Sequence, residues 1–155
     1  AAQGLVPTAL ADGGRESARG VATRLLQWGA GGGVLVGLAL AVGADGIPAI
    51  FTDAADVRDA ARPLILLIAV LQPLAGLVFT WDGIFQGLED YTYLAVAMAA
   101  SAALTVAASQ ADALHDSLGG IWITFSLFVL LRAVGLAWRF WGPGPLTTLP
   151  PPRSA

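Results

Sequence analysis

The chain has 155 residues, of which 56% are hydrophobic and only 12% charged. That charged share is about half of what a soluble globular domain carries, and the mean hydropathy is +0.71. A net charge of −3 argues against a general nucleic-acid binder, and the lack of Cys excludes a disulfide framework and thiol chemistry.

The composition leaves too few polar residues to clothe a soluble domain of this size, so a membrane protein is expected. Residues 1–24 read as the end of a helix followed by a loop. Four segments then have the roughly 20 mostly apolar residues that cross a bilayer as helix. They lie near 25–51, 63–81, 91–111 and 118–138. None alternates apolar with polar residues as a barrel strand does. The expected fold is all-α, a polytopic membrane bundle over 25–141, with a disordered Pro-rich tail at 142–155.

The connections TDAADVRDAAR, IFQGLED and DALHDSL are short, which makes successive helices antiparallel neighbours. Arg15, Arg19, Arg24, Arg139 and Arg153 then fall on one side, with Arg132 deeper but near it; Arg58 and Arg62 fall on the other. The positive-inside rule places the N-terminal arm, the Gly87–Asp90 loop and the tail in the cytoplasm. Asp53, Asp56, Asp59, Asp112, His115 and Asp116 face outside.

In the first span Gly29, Gly33 and Gly37 recur every four residues, a face that lets another helix backbone come close. In the second, Pro73 removes a backbone donor and a kink is expected there. Gln72, Ala75, Phe79, Asp82 and Gln86 share one helical stripe, with Gly76, Thr80, Gly83 and Gly87 beside it. The segment thus has a polar face and a small-residue packing face. Asp82 would cost about 2.5–3.5 kcal/mol at the bilayer centre, and less near the end of a span. It is either a boundary charge or part of ion or substrate handling. Glu89 and Asp90 read as solvated loop charges.

The third span carries Ser101, Thr105 and Ser109, which bond either across a helix pair or back to their own helix. In the fourth, Arg132 either snorkels to the headgroups or pairs with Asp82. Trp138 and Trp141 fit an interfacial belt. His115 has no second His and no Cys, which makes a zinc site improbable. No paired catalytic groups suggest an enzyme.

The stretch QPLAGLVFTWDGIFQGLEDYTYLA, Gln72 to Ala95, resembles the tenth helix and following loop of MATE (multidrug and toxic compound extrusion) transporters, in their DinF-like branch. The residues that carry the likeness are Gln72, Pro73, Asp82, Gly83, Gly87, Asp90, Tyr93 and Leu94. LLRAVGLAWRFW is similar to the family's closing R-x-x-x-L-x-x-R through Arg132, Leu136 and Arg139. AAQGLVPTALADGGRESAR resembles the end of the eighth helix, with Pro7 and Ala11 standing where the family usually has Gly.

The resemblance implies that the four spans are the last four of a twelve-helix, two-lobed antiporter in a bacterial inner membrane. Such a protein exchanges H⁺ or Na⁺ for cationic or amphipathic compounds. The chain is then expected to be a C-terminal fragment whose partners are the bilayer, the other lobe and small organic substrates, and not nucleic acid. No cofactor is expected. The coupling ion is expected in the other lobe, since the Na⁺-coupled branch has an Asp where this chain has Ala75. Gln72, Pro73, Asp82, Gln86 and Arg132 are the candidates for the transport path or gate. Gly29, Gly33, Gly37, Gly76, Gly83 and Gly87 are the helix-packing candidates. The alternatives are a non-transporting assembly subunit and a self-contained four-helix exporter acting as a dimer.

Overall fold

The computed structural model describes residues 2–110 and 117–148. His115, Asp112, Asp116 and Arg153, for which the sequence carries expectations, lie outside the described residues. Among those described, all regular structure is helical: α1 Ala2–Val42, α2 Gly46–Phe51, α3 Ala55–Gly87, α4 Tyr91–Ser109, α5 Leu118–Trp141 and α6 Pro145–Thr148. Four helices (α1, α3, α4 and α5) are long and apolar enough to cross a membrane. The protein is a multi-pass membrane protein of the all-α class.

The helices exceed the expected spans, and the connections shrink to match. Residues 15–24, expected as loop, are helical and run straight into the apolar stretch, with Ala18 and Ala22 of this segment buried in the core and Gly20 carried along in helical conformation. The break falls on Gly14 itself, at φ 71° and ψ −166°, a conformation that glycine alone adopts cheaply. Most of TDAADVRDAAR is also helix, since α3 starts at Ala55 with Asp56 in its first turn, where an acid complements the helix dipole. The first span breaks at Gly43–Asp45 and resumes as α2. At 33 residues α3 is about 50 Å long. That exceeds the ~30 Å hydrocarbon core, so it tilts or projects.

The tail expected to be disordered is folded as far as Thr148. Thr147 Oγ1 donates to the Gly142 and Gly144 carbonyls, and Arg139 Nη1 donates to the Pro143 carbonyl at 2.6 Å. Arg15 Nη1 reaches the Thr147 carbonyl at 3.3 Å, tying α1 to α6.

α3 is the hub: α1 runs along it and α5 packs on its other side, with α4 against α5. The core gathers at one end of the bundle, from Ala18, Ala22 and Leu26 of α1, Val78, Trp81, Ile84 and Phe85 of α3, and Ala133, Leu136 and Phe140 of α5. Trp81 meets Trp141 edge-on at 5.6 Å. At the other end Val42, Ile50 and Phe51 stand exposed.

The α1–α3 seam rests on small residues. A Cβ on Gly33 would lie 2.7 Å from Pro73 Cα, and one on Gly37 would lie 2.5 Å from the Ala69 carbonyl oxygen. That carbonyl is the one Pro73 leaves without its i+4 donor, and Gly37 covers it. Gly29 faces Gly76 and Thr80, while Gly83 and Gly87 take the start of the α1 arm, at Ala2 and Gln3. Thr80 Oγ1 bonds back to the Gly76 carbonyl, which keeps the hydroxyl satisfied inside the seam. The lack of side chains on these glycines is what lets two helix backbones approach closely.

Candidate functional site

The polar stripe of α3 divides at the structural level. Gln72, Ala75, Phe79 and Asp82 line a cavity of about 370 Å³ between α3, α4 and α5. Met98 of α4 and Phe125, Phe128 and Arg132 of α5 complete most of its wall. Gln86, one turn beyond Asp82, lies outside it. The α1 arm covers that end of α3, and Gln3 Nε2 donates to Gln86 Oε1 at 2.5 Å. Pro73 also lies outside the cavity, turned into the α1 seam.

Arg132 pairs with Asp82. Its Nη2 donates to Asp82 Oδ1 at 2.5 Å, and the two side chains are only 12% and 18% exposed. Arg132 Nη1 also lies 2.7 Å from the Met98 sulfur. Arg132 Nε is buried without a hydrogen-bond partner. Snorkelling to the surface is therefore not what this arginine does. One guanidinium instead joins α3, α4 and α5 at one end of the cavity. Its opposite charge nearby makes the acid tolerable in an apolar wall. The cavity combines an apolar, aromatic lining with a few convergent polar groups, the usual make-up of a small-molecule site.

A second arginine repeats the design nearer the helix ends. Arg139 Nε donates to Asp90 Oδ2 at 2.8 Å, and its guanidinium sits 4.8 Å from the centre of the Tyr93 ring. Tyr93 Oη donates to the Gly135 carbonyl at 2.6 Å. Asp90 is thus a largely covered, paired anchor and not the solvated loop charge expected. The signal in the sequence was the seven-residue spacing of Arg132 and Arg139, which places two guanidinium groups on one face opposite Asp82 and Asp90. What positions Asp90 is the end of α3. The Asp90 N–H bonds to the Phe85 carbonyl and the Glu89 N–H to the Gln86 carbonyl. These are the two bonds of a Schellman cap, with Glu89 at φ 59° in the left-handed place usually held by Gly.

The remaining candidates are simpler. Ser109 Oγ back-bonds to the Val106 carbonyl, Ser101 is buried, and Thr105 Oγ1 is buried without a partner. Asp45 and Arg62 pair at 2.6 Å while mostly exposed, a contact worth little. No cluster of three potential metal ligands occurs among the described residues.

The MatE family profile matches residues 1–110. The chain is similar to three proteins of Arabidopsis thaliana. It is 28% identical to Protein DETOXIFICATION 45, chloroplastic, over 84% of this chain and 23% of that protein. It is 31% identical to Protein DETOXIFICATION 44, chloroplastic, over 90% and 27%. It is 38% identical to Protein DETOXIFICATION 43, over 50% and 15%. The chain spans about a quarter or less of the length of these relatives. No solved structure matches it. With the profile covering most of the chain, the chain belongs to the MatE family, a family of transporters and not of enzymes.

Proposed function

We propose that this chain supplies the last four helices of a twelve-helix MATE multidrug antiporter of the DinF-like branch. In this reading the cavity between α3, α4 and α5 lies on the path of cationic or amphipathic cargo. The observation that carries it is the Asp82–Arg132 pair set in the wall of an otherwise apolar cavity with Gln72. An apolar lining accepts the body of an amphipathic compound, and a carboxylate offers it a charge partner. Because Arg132 occupies that carboxylate, breaking the pair is coupled to separation of α5 from α3, which makes the pair a gate. The family membership and the relatives' names, which speak of detoxification, support the transport of foreign compounds.

The coupling ion, H⁺ or Na⁺, is assigned to the other lobe, because the carboxylate of this cavity already has a cation. The arginine-rich end of the bundle is assigned to the cytoplasm of a cell membrane. The test is Asp82→Asn in the intact transporter, which keeps the shape and removes the charge. Reduced drug resistance at normal expression is expected. Unchanged resistance would make Asp82 a structural link alone.

A further inference from the structure

A groove runs along the arginine-rich end of α1, on the side turned away from α3. Its floor is Gly20, where a Cβ would meet nothing within 4 Å. Thr23 and Gln27 continue the floor, Arg19 and Arg24 flank it and Glu16 lies at one end, making a shallow hollow open to its surroundings. A second shallow, open hollow carries the groove past Arg24 and Gln27 to Trp28.

The groove has a defined depth relative to the bilayer. Trp28 is 76% exposed and opens the charge-free stretch Trp28–Ala44, the place of an interfacial aromatic. Along the helix axis Arg24 lies about 6 Å beyond Trp28, Arg19 about 13 Å and Glu16 about 18 Å. Arg15, by contrast, is engaged by the Thr147 carbonyl. The guanidinium groups of Arg19 and Arg24 bond to no described residue.

From the membrane outward the groove therefore offers an aromatic ledge, two guanidinium groups and a carboxylate. A phospholipid with a primary amine offers acyl chain, phosphate and ammonium in the same order. We propose that this groove binds the headgroup of an aminophospholipid. The phosphate lies between Arg19 and Arg24, the ammonium donates to Glu16, and an acyl chain crosses Trp28. Thr23 already gives its hydroxyl hydrogen to the Arg19 carbonyl, so its oxygen is left to accept. Other candidates fit less well. A choline headgroup has no N–H to give Glu16. A glycerol headgroup gives it no cation, and a free phosphate uses neither Glu16 nor Trp28.

The test is native mass spectrometry of the intact protein in detergent, titrated with phosphatidylethanolamine, phosphatidylcholine and phosphatidylglycerol. Phosphatidylethanolamine is expected to bind about three- to five-fold tighter than phosphatidylcholine, the net worth of one hydrogen bond, since choline carries the same charge but no N–H. Glu16→Gln should abolish that preference while weakening phosphatidylcholine binding by less than about fivefold, the most one exposed ion pair is worth, a result misfolding does not produce. Arg19→Gln with Arg24→Gln should weaken phosphatidylethanolamine binding by roughly five-fold per arginine, and the Lys pair should restore most of it. Equal binding of the ethanolamine and choline lipids overturns the proposal, as does a preference that survives Glu16→Gln or tightest binding of phosphatidylglycerol. Displacement by soluble phosphoethanolamine as effective as by the lipid would identify a soluble-ion site and overturn it too.

Discussion

Asp82 and Arg132 stand 50 positions apart and meet at 2.5 Å, joining α3 to α5 at one end of the α3–α4–α5 cavity. Removing one partner leaves the other charge in an apolar wall, which typically costs 3–5 kcal/mol when burial is complete. Both side chains here keep some exposure. Asp82→Asn and Arg132→Gln should therefore each destabilise by about 2–3 kcal/mol. The double variant should lose at least about 1 kcal/mol less than the sum, the mark of direct coupling. Thermal melting of the four proteins in detergent gives the cycle.

The α1–α3 seam should tolerate no side chain at Gly33, where a Cβ would crowd Pro73 Cα at 2.7 Å. Backbone cannot step aside as a flexible side chain can. Gly33→Ala should destabilise by about 1–3 kcal/mol. Gly32→Ala, one position away with open space around it, should be neutral or stabilising by about 0.5–1 kcal/mol. A comparison of their melting temperatures separates packing from helix propensity.

These two features differ in how far they could be read from the sequence. The four-residue glycine spacing is a one-dimensional signal, so the seam partner face was legible down to Gly29, Gly33 and Gly37. The stripe of Gln72, Asp82 and Gln86 was legible as a face, but not its fate. Gln86 leaves the cavity because the α1 arm returns to cover it through Gln3. That return depends on the turn at Gly14, and the Gly13-Gly14 pair marks a turn without announcing its direction. Asp90 looked solvated because its neighbours are loop residues, and its partner Arg139 lies 49 positions away. Composition marked the four crossings. Their longer ends, Arg15–Arg24 and Ala55–Arg62, were missed because polar helix carries no hydropathy signal.

Glu89 occupies a left-handed position at φ 59°, which costs an L-residue roughly 1–2 kcal/mol relative to glycine's free access. Glycine loses more entropy on folding and gives part of that back. Glu89→Gly should therefore stabilise by about 0.5–1 kcal/mol while keeping the cap bonds at the end of α3. A lowered melting temperature would mean that the Glu89 side chain makes up for its backbone.

Arg139 bonds Asp90 and the Pro143 carbonyl and lies over the Tyr93 ring. A lysine has the charge but not the planar fork. Arg139→Lys should destabilise by about 1–2 kcal/mol and loosen Gly142–Thr148. Limited proteolysis should then cut between Gly142 and Thr148 faster than in the parent, and Asp45→Asn, which breaks only an exposed pair, should leave the rate unchanged.

In the proposed mechanism cargo passes through the cavity between α3, α4 and α5. Ala75 lines that cavity with no polar role of its own, so filling it changes space and little else. The most direct measurement is efflux of a fluorescent organic cation by the intact transporter in proteoliposomes, with Ala75→Trp compared with Val36→Trp on the exposed side of α1. Ala75→Trp should lower the transport rate at least about tenfold, a barrier increase of about 1.4 kcal/mol, while Val36→Trp transports normally at the same level of protein. Parental transport by Ala75→Trp would mean that cargo does not pass through this cavity.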